Sequence, residues 1–274
     1  MNFMKFVNKV LEVKGNLLKV SFSVNGKTFE TFIPDDEQWG AVKDILINRE
    51  YEYLPEFELY NFKGGTVIDA GAHVGLFSLV VSNFADKVIS IEAHPINYKL
   101  LEINIIKNNI KNVIPLNRAL VGVKRSVRIC EGVHSGGHSI LGSGEGHIVK
   151  PITLEEIVKE YGKVDLLKID VEGAEFEIFE NSGIEVLRKI DKIVGEIHLS
   201  LGDFKRLKEI LEEAGFSVKA FHPPLVKNYT GNVRISANNF RKLRLVRYCV
   251  YTLSRAFNLK DKSLLILFAW RGRK

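Results

Sequence analysis

Acids at the ends of apolar runs, each followed within a few residues by glycine, are the part of this 274-residue sequence richest in chemistry. The run Val67-Ile68-Asp69-Ala70-Gly71-Ala72-His73-Val74-Gly75 is strand-like, ends in an acid and passes through two glycines into helix-forming sequence. Gly71 lets the backbone approach a ligand, and Gly75 lets the helix begin close to the sheet. Twenty-three residues beyond Asp69, a second apolar run ends at Glu92, followed by Ala93. A carboxylate at that point can accept hydrogen bonds from two ribose hydroxyls, and the two signals together describe a nucleoside site. A dinucleotide fingerprint spaces its glycines G-x-G-x-x-G, so that a pyrophosphate rests on a helix N-terminus. Here the glycines are four apart and Asp69 would repel phosphate. The pattern suits a cationic ligand without phosphate, and S-adenosylmethionine, with an ammonium, a sulfonium and a ribose, is such a ligand. A glycine turn in some other α/β sheet is the plainer alternative, and Glu92 in register argues against it.

The second signal is Leu166-Leu167-Lys168-Ile169-Asp170-Val171-Glu172-Gly173-Ala174-Glu175, which puts three carboxylates within six residues at a strand end. Such a group repels itself and is costly to bury, so a counter-charge or hydrogen-bond donor is expected nearby. The candidates are the cofactor's amino group, a hydroxyl substrate, Lys168 or a metal. Alternatively, Glu172 and Glu175 simply favour the positive end of the following helix.

These residues need a sheet to hold them. From Gly64 onward, β-rich runs alternate with helical ones, the pattern of a parallel sheet with crossover helices. Strands are expected at 67–69, 88–92, 113–117, 164–170, 190–198, 216–221 and 264–270, and helices at 76–84, 97–108, 154–161, 174–182 and 204–213. Thr153 and Glu156 have capping-box spacing before the third helix. Residues 1–62 read as an N-terminal accessory segment ahead of the main domain at 63–274. In that segment Leu18, Val20 and Phe22 alternate with polar neighbours, Phe29, Thr31 and Ile33 share a second face, and Asn25-Gly26 between them favours a hairpin turn. A helix carrying Trp39, Val42, Ile45 and Leu46 follows Asp35 and Asp36. Residues 131–146, with six glycines, three serines, His134 and His138, read as a loop within reach of the sheet's carboxyl edge.

The succession V-I-D-A-G-A-H-V-G-L-F-S-L, I-S-I-E-A-H-P, T-L-E-E-I and L-L-K-I-D-V-E-G-A-E resembles the FkbM-type methyltransferases, a class I group dependent on S-adenosylmethionine. The resemblance spans about residues 51–201. It implies an α/β, Rossmann-like three-layer sandwich whose seven-stranded, mostly parallel sheet has an antiparallel last strand. It further implies O-methylation of a hydroxyl on a sugar, glycan or other small molecule, leaving S-adenosylhomocysteine. By position, Asp69, Gly71, Ala72, His73 and Gly75 would border the methionine portion of the cofactor. Glu92, next to Ala93, would bind the ribose, and Asp170 would face the transferring methyl. Many class I enzymes place an acid against adenine after the third strand. This chain has Asn117-Arg118-Ala119, so stacking on Arg118, backbone or apolar contacts are expected to serve instead.

O-methylation needs a base near the hydroxyl. Asp170 and His198 are the candidates, since an imidazole with an ordinary pKa of about 6.5 accepts protons near neutrality; a satisfied histidine at a strand end is the alternative for His198. Asp170, Glu196 and His198 could hold a divalent metal, as could His134, His138 and His147, but no spacing demands it and no metal is assigned. Cys130 and Cys249 set up neither a disulfide framework nor a zinc pattern. With no secretion signal and no apolar run of membrane-spanning length, the expected compartment is the cytoplasm.

The net charge of +6 is uneven: residues 223–274 hold twelve Lys or Arg and one acid, and the rest of the chain is net acidic. The basic insert at 223–260 contains Phe240, Leu243, Val246, Val250, Leu253 and Phe257 at helical spacing, with arginines off that stripe. It is expected to pack on its own domain. RNA or an anionic membrane surface are the further partners such charge allows, which makes RNA methylation the alternative activity. A non-catalytic cofactor-binding scaffold is the other alternative, and Asp69, Glu92 and Asp170 together speak against it.

Overall fold

The structure is a computed structural model that describes residues 17–34, 41–130, 146–227, 236–237 and 263–272. It begins with an antiparallel hairpin, β1 (Leu17–Val24) and β2 (Lys27–Pro34). Asn25 and Gly26 take φ of 49° and 75°, the pair of positive angles that a tight two-residue turn requires. The register sets Phe22 opposite Phe29, with their rings stacked at 5.2 Å. The two apolar sets of the hairpin therefore form one buried face rather than two, because facing residues of an antiparallel pair share a side. A seven-residue π-helical stretch (Val42–Asn48) and three short 3₁₀ turns at Glu50–Glu52, Pro55–Phe57 and Leu59–Asn61 lead into the main sheet. Asp35, Asp36 and Trp39 lie outside the described residues.

The alternating region builds β3 (Thr66–Ala70), α1 (Leu76–Val81), β4 (Lys87–Ile91), α2 (Pro95–Lys107) and β5 (Val113–Leu116). Four short strands follow, β6 (Ala119–Leu120), β7 (Val127–Cys130), β8 (Gly146–Val149) and β9 (Pro151–Ile152). Then come α3 (Leu154–Tyr161), β10 (Leu166–Ile169), α4 (Glu175–Asn181), α5 (Ile184–Leu187), β11 (Lys192–His198), α6 (Phe204–Glu213) and β12 (Ser217–Phe221). β13 (Ser236–Ala237) pairs with β1, and β14 (Leu264–Trp270) closes the chain's sheet. The seven-stranded order is β12-β14-β11-β10-β3-β4-β5, with β14 antiparallel to both neighbours and the other neighbouring pairs parallel. This is the expected three-layer α/β architecture with an antiparallel last strand. The capping box of α3 forms as its spacing predicts: Thr153 Oγ1 accepts from Glu156 N, and the Glu156 carboxylate accepts from Thr153 N.

Two apolar clusters cover the sheet's faces, one joining α1 and α2 to the hairpin, the other joining α3 to α6. The hairpin is attached by more than apolar contact. Asn104 of α2 and Asn108, which caps the helix's C-terminus, each accept a hydrogen bond from, and donate one to, the β2 backbone, at Phe32 and Glu30 respectively. The match is geometric: four helical residues advance about 6 Å and two strand residues about 6.8 Å, so side chains at i and i+4 meet alternate strand residues. This pairing satisfies part of the exposed edge of β2.

The glycine-rich run expected to reach the sheet edge lies between the paired strands β7 and β8, and residues 131–145 lie outside the described residues. So does the basic amphipathic stretch of the insert. No helix among the described residues is long and apolar enough to cross a membrane.

Candidate active site

A cavity of about 270 Å³ opens at the carboxyl edge of the parallel strands, where open α/β sheets bind ligands. Its floor is the loop after β3. Gly71 N and Ala72 N both donate to Ile91 O at the end of β4, at 3.0 and 2.9 Å, and His73 N donates to Glu92 Oε2 at 2.7 Å. Gly71 has φ of 74°, and a Cβ there would sit 1.6 Å from Asp170 O, so only glycine lets this loop pack on the end of β10. Glu92 is tied down on its other oxygen by His94 N at 2.8 Å. Burial pushes its carboxyl up to about 7, against the pull of those two backbone donors. Asn117, just past the end of β5, donates its amide to the carbonyls of Glu92 and Ala93 and so fixes that corner.

Of the residues expected at the site, Gly71, Ala72 and His73 line the cavity, as do Glu92 and Ala93. Arg118 and Asp170 form other parts of its wall. Asp69, Gly75 and His198 do not. Asp69 is fully buried beneath the loop, where it accepts from the Ser78 hydroxyl at 2.6 Å and pairs with Lys168 Nζ at 3.4 Å. Its charge is neutralised inside the fold, so it does not grip a ligand directly. Gly75 makes room for helix packing: a Cβ there would lie 2.5 Å from Leu101 Cδ1.

Lys168, itself buried, is the counter-charge that the cluster of acids calls for. Its ammonium donates to Gly71 O at 2.9 Å and lies 3.7 Å from Asp170 Oδ2. Burial disfavours that charge, but Asp69 and Asp170 together hold the lysine above its ordinary pKa. Asp170 is raised to about 6, chiefly by burial, and its Oδ1 is buried with no hydrogen-bond partner among the described residues.

For His198 the sequence leaves two readings, a proton acceptor near neutrality and a satisfied histidine at a strand end. The structure sets its two ring nitrogens 3.4 Å from Glu172 and 3.3 Å from Glu175. Burial opposes a charge on the ring, yet the two glutamates outweigh it and push the imidazole up to about 11. Held between two carboxylates in this way, His198 ties the end of β11 to the 172–175 turn. Glu175, fully buried, also accepts from Val171 N and Gly173 N and thereby shapes the 171–173 turn, leaving Glu172 on the cavity wall. Among the described residues, no three His, Cys, Asp or Glu side chains are grouped to hold a metal ion.

The far wall comes from the accessory segment, through Asp44, Ile45 and Tyr51, together with Glu196 of β11. Sequence patterning assigned none of the accessory three to the site; only the fold brings them there. The Tyr51 hydroxyl donates to Glu196 Oε1 at 3.1 Å, and its ring stands edge-on to Phe77.

The family model described as "Methyltransferase FkbM domain" matches residues 69–218, more than half of the chain. The chain belongs to the FkbM methyltransferase family. The matched span covers both glycine-bearing loops and β11, and so every cavity wall except that of the accessory segment. Methyltransferase 1 of Beauveria bassiana (strain ARSEF 2860) is 26% identical over 218 residues, covering 68% of this chain and 86% of that one. Methyltransferase sdnD of Sordaria araneosa is 26% identical over 190 residues, covering 56% and 73%. Among solved structures, methyltransferase FkbM from Methylobacillus flagellatus KT aligns with TM-score 0.47 at 13% identity, over 83% of this chain and 49% of that one. Precorrin-6y C5,15-methyltransferase from Geobacter metallireducens GS-15 aligns with TM-score 0.44 at 14% identity, over 80% and 86%.

Proposed function

We propose that this FkbM-family protein moves the methyl group of S-adenosylmethionine to a hydroxyl of a sugar, glycan or other small molecule and releases S-adenosylhomocysteine. The observation that carries the reading is the Glu92 carboxylate, fixed at the cavity wall by two backbone N–H groups beside the Gly71–His73 loop. Each of its oxygens keeps a lone pair for a ribose hydroxyl. The donor set also fits a phosphate-free cation. The N–H groups of Gly71, Ala72 and His73 are spent on Ile91 and Glu92, so the loop has none of these to cradle a pyrophosphate. Asp170, whose side chain is 24% exposed, lines the same cavity and adds negative charge there.

In this reading Glu92 and Ala93 hold the ribose, Arg118 offers its flat guanidinium to adenine, and Asp170 faces the methionine portion. When bound, the cofactor supplies an electrophilic methyl carbon on a positively charged sulfur. Tyr51 and Ile45 add an apolar contribution from the accessory segment to the cavity lining.

Calorimetric titration with S-adenosylmethionine tests the cofactor assignment. Glu92→Ala should weaken binding by about 1 to 3 kcal/mol through loss of the ribose hydrogen bonds. Unchanged affinity overturns the ribose assignment. Incubation with methyl-deuterated cofactor and fractionated cell extract, read by mass, should label a hydroxyl-bearing fraction; label appearing only in RNA overturns the choice of acceptor.

A further inference from the structure

We infer that Glu196, positioned by Tyr51, is the residue that takes the proton of the acceptor hydroxyl. The inference rests on the methyl-transfer reading above and deepens it. Five carboxylates of the described residues line the cavity: Asp44, Glu92, Asp170, Glu172 and Glu196. Four are already engaged. Glu92 binds two backbone N–H groups, and Glu172 pairs with His198. Asp44 lies 3.1 Å from Lys43 Nζ and accepts from the Asn48 amide, and Asp170 lies beside Lys168. Among the described residues Glu196 has neither a cation within ion-pair distance nor a backbone N–H on its carboxyl. Its one hydrogen-bond partner there is the neutral hydroxyl of Tyr51, on Oε1. A carboxylate that lacks compensating charge is the strongest base of such a set.

Its position suits the task. Gly195 is in register with Ile169 on the neighbouring parallel strand, so Glu196 and Asp170, the next residues on each, lie side by side at the carboxyl edge. A Cβ on Gly195 would fall 1.9 Å from Ile169 O, so only glycine brings the two strand ends this close. Tyr51 is buried against Phe77, and Lys168 Nζ lies 5.7 Å from its ring centre. Burial and the neighbouring Glu196 keep the phenol neutral, so its single O–H stays on Oε1 and Oε2 is left for the acceptor. In the transfer step the acceptor oxygen's lone pair forms a bond to the methyl carbon. The carbon–sulfur bond breaks with its electrons remaining on sulfur, and the hydroxyl proton passes to the Glu196 carboxylate.

That step requires Glu196 to be ionised. Without a cationic ligand, burial and the nearby Asp170 and Asp44 carboxylates hold its proton on, against Lys168 and the Tyr51 hydrogen bond. A positive charge entering the cavity reverses this balance, so binding of a sulfonium should drive a proton off Glu196.

The test is calorimetric titration of the full chain with S-adenosylmethionine and, separately, S-adenosylhomocysteine, near neutral pH in two buffers of different ionisation enthalpy. The expected result is release of about one proton with the sulfonium and clearly less with the uncharged thioether. In Glu196→Gln both ligands should bind and the difference should vanish, and methyl transfer to the labelled extract fraction should be lost. In Tyr51→Phe the release should persist with its midpoint moved to higher pH. Failure of S-adenosylmethionine to bind wild-type protein overturns the cofactor reading itself. Binding with equal proton release for the two ligands overturns the assignment to Glu196 and leaves the cofactor reading intact. So does release that survives in Glu196→Gln, or transfer that continues in that variant at the wild-type rate. If Glu196→Gln does not fold, the wild-type comparison of the two ligands decides.

Discussion

Replacing Glu92 with glutamine should destabilise the protein even without any ligand. Two N–H donors converge on this side chain, from His73 at 2.7 Å and His94 at 2.8 Å. A carboxyl can accept both. Glutamine has nearly the same shape but one acceptor oxygen, so whichever way the amide turns, its NH₂ group faces one of the backbone donors. A buried N–H left without an acceptor costs about 1 to 3 kcal/mol. In a chain of this size each kcal/mol moves Tm by about 2 to 4 °C, so the expected fall is roughly 2 to 12 °C. The comparison belongs below the value of about 7 to which burial raises Glu92, where the native carboxyl is itself neutral. Above it, glutamine would also remove a buried charge, and that gain would mask the loss. Differential scanning fluorimetry reads Tm, and hydrogen exchange at the His73 and His94 amides reads the same bonds locally. An unchanged Tm, with both amides exchanging as in the wild type, would refute the claim that this carboxyl organises the loop.

Three further outcomes follow from the same structure. Asn104→Leu and Asn108→Leu should each lower Tm, Asn104→Leu by more because Asn104 is fully buried and Asn108 only partly; no loss in either variant by thermal scan would show that the asparagine pairing does not anchor the hairpin. Gly71→Ala should abolish folding, since its Cβ would meet Asp170 O, whereas Gly183→Ala, with nothing within 4 Å of the new atom, should leave Tm near the wild-type value in the same thermal scan. Stability should fall as pH rises from about 5 to 9, because native Asp170, Glu92 and Glu50, raised to about 6, 7 and 8, keep protons that the unfolded chain has already released. His198 acts in the same direction: its stabilisation is complete below the ordinary 6.5 and is lost as pH climbs toward about 11. The surface acids Glu30, Glu58, Glu156 and Glu177, all lowered, lose their contribution only as pH drops below the ordinary 4.5. A Tm that rises between neutral and alkaline pH would contradict this.

Local signals in the sequence carried most of the fold. Asn25-Gly26, the capping pair Thr153 and Glu156, and the alternation of strand and helix each act through the backbone of a few neighbouring residues, and each appears in the structure where expected. The short strands β6 and β9 were not legible because two residues are too few to show a period. At the site, the positions of Gly71, Glu92 and Asp170 at strand ends were legible. The surroundings of those ends were not. His198 looked like an ordinary imidazole because nothing in its own segment reveals that Glu172 and Glu175 lie across it. Tyr51 and Asp44 gave no sign, since their approach to β11 depends on how the accessory segment folds back onto the sheet.

The contrast between Asp69 and Asp170 shows why strand-end acids need their neighbours before they can be given roles. Both close a parallel strand before a glycine-bearing turn, and by sequence alone both resemble ligand grips. The register separates them: Lys168 of β10 lies directly across from Asp69 of β3, so their charges meet within the sheet, below the cavity. Asp170 is two residues beyond Lys168 on the same chain and shares its ammonium only at 3.7 Å, through Oδ2. Oδ1 is buried without a hydrogen-bond partner among the described residues, while the side chain as a whole stays 24% exposed. One lysine fixes the inner acid, supports the Gly71 carbonyl and touches the outer acid from one side, so of the two strand-end acids only Asp170 is left on the cavity wall.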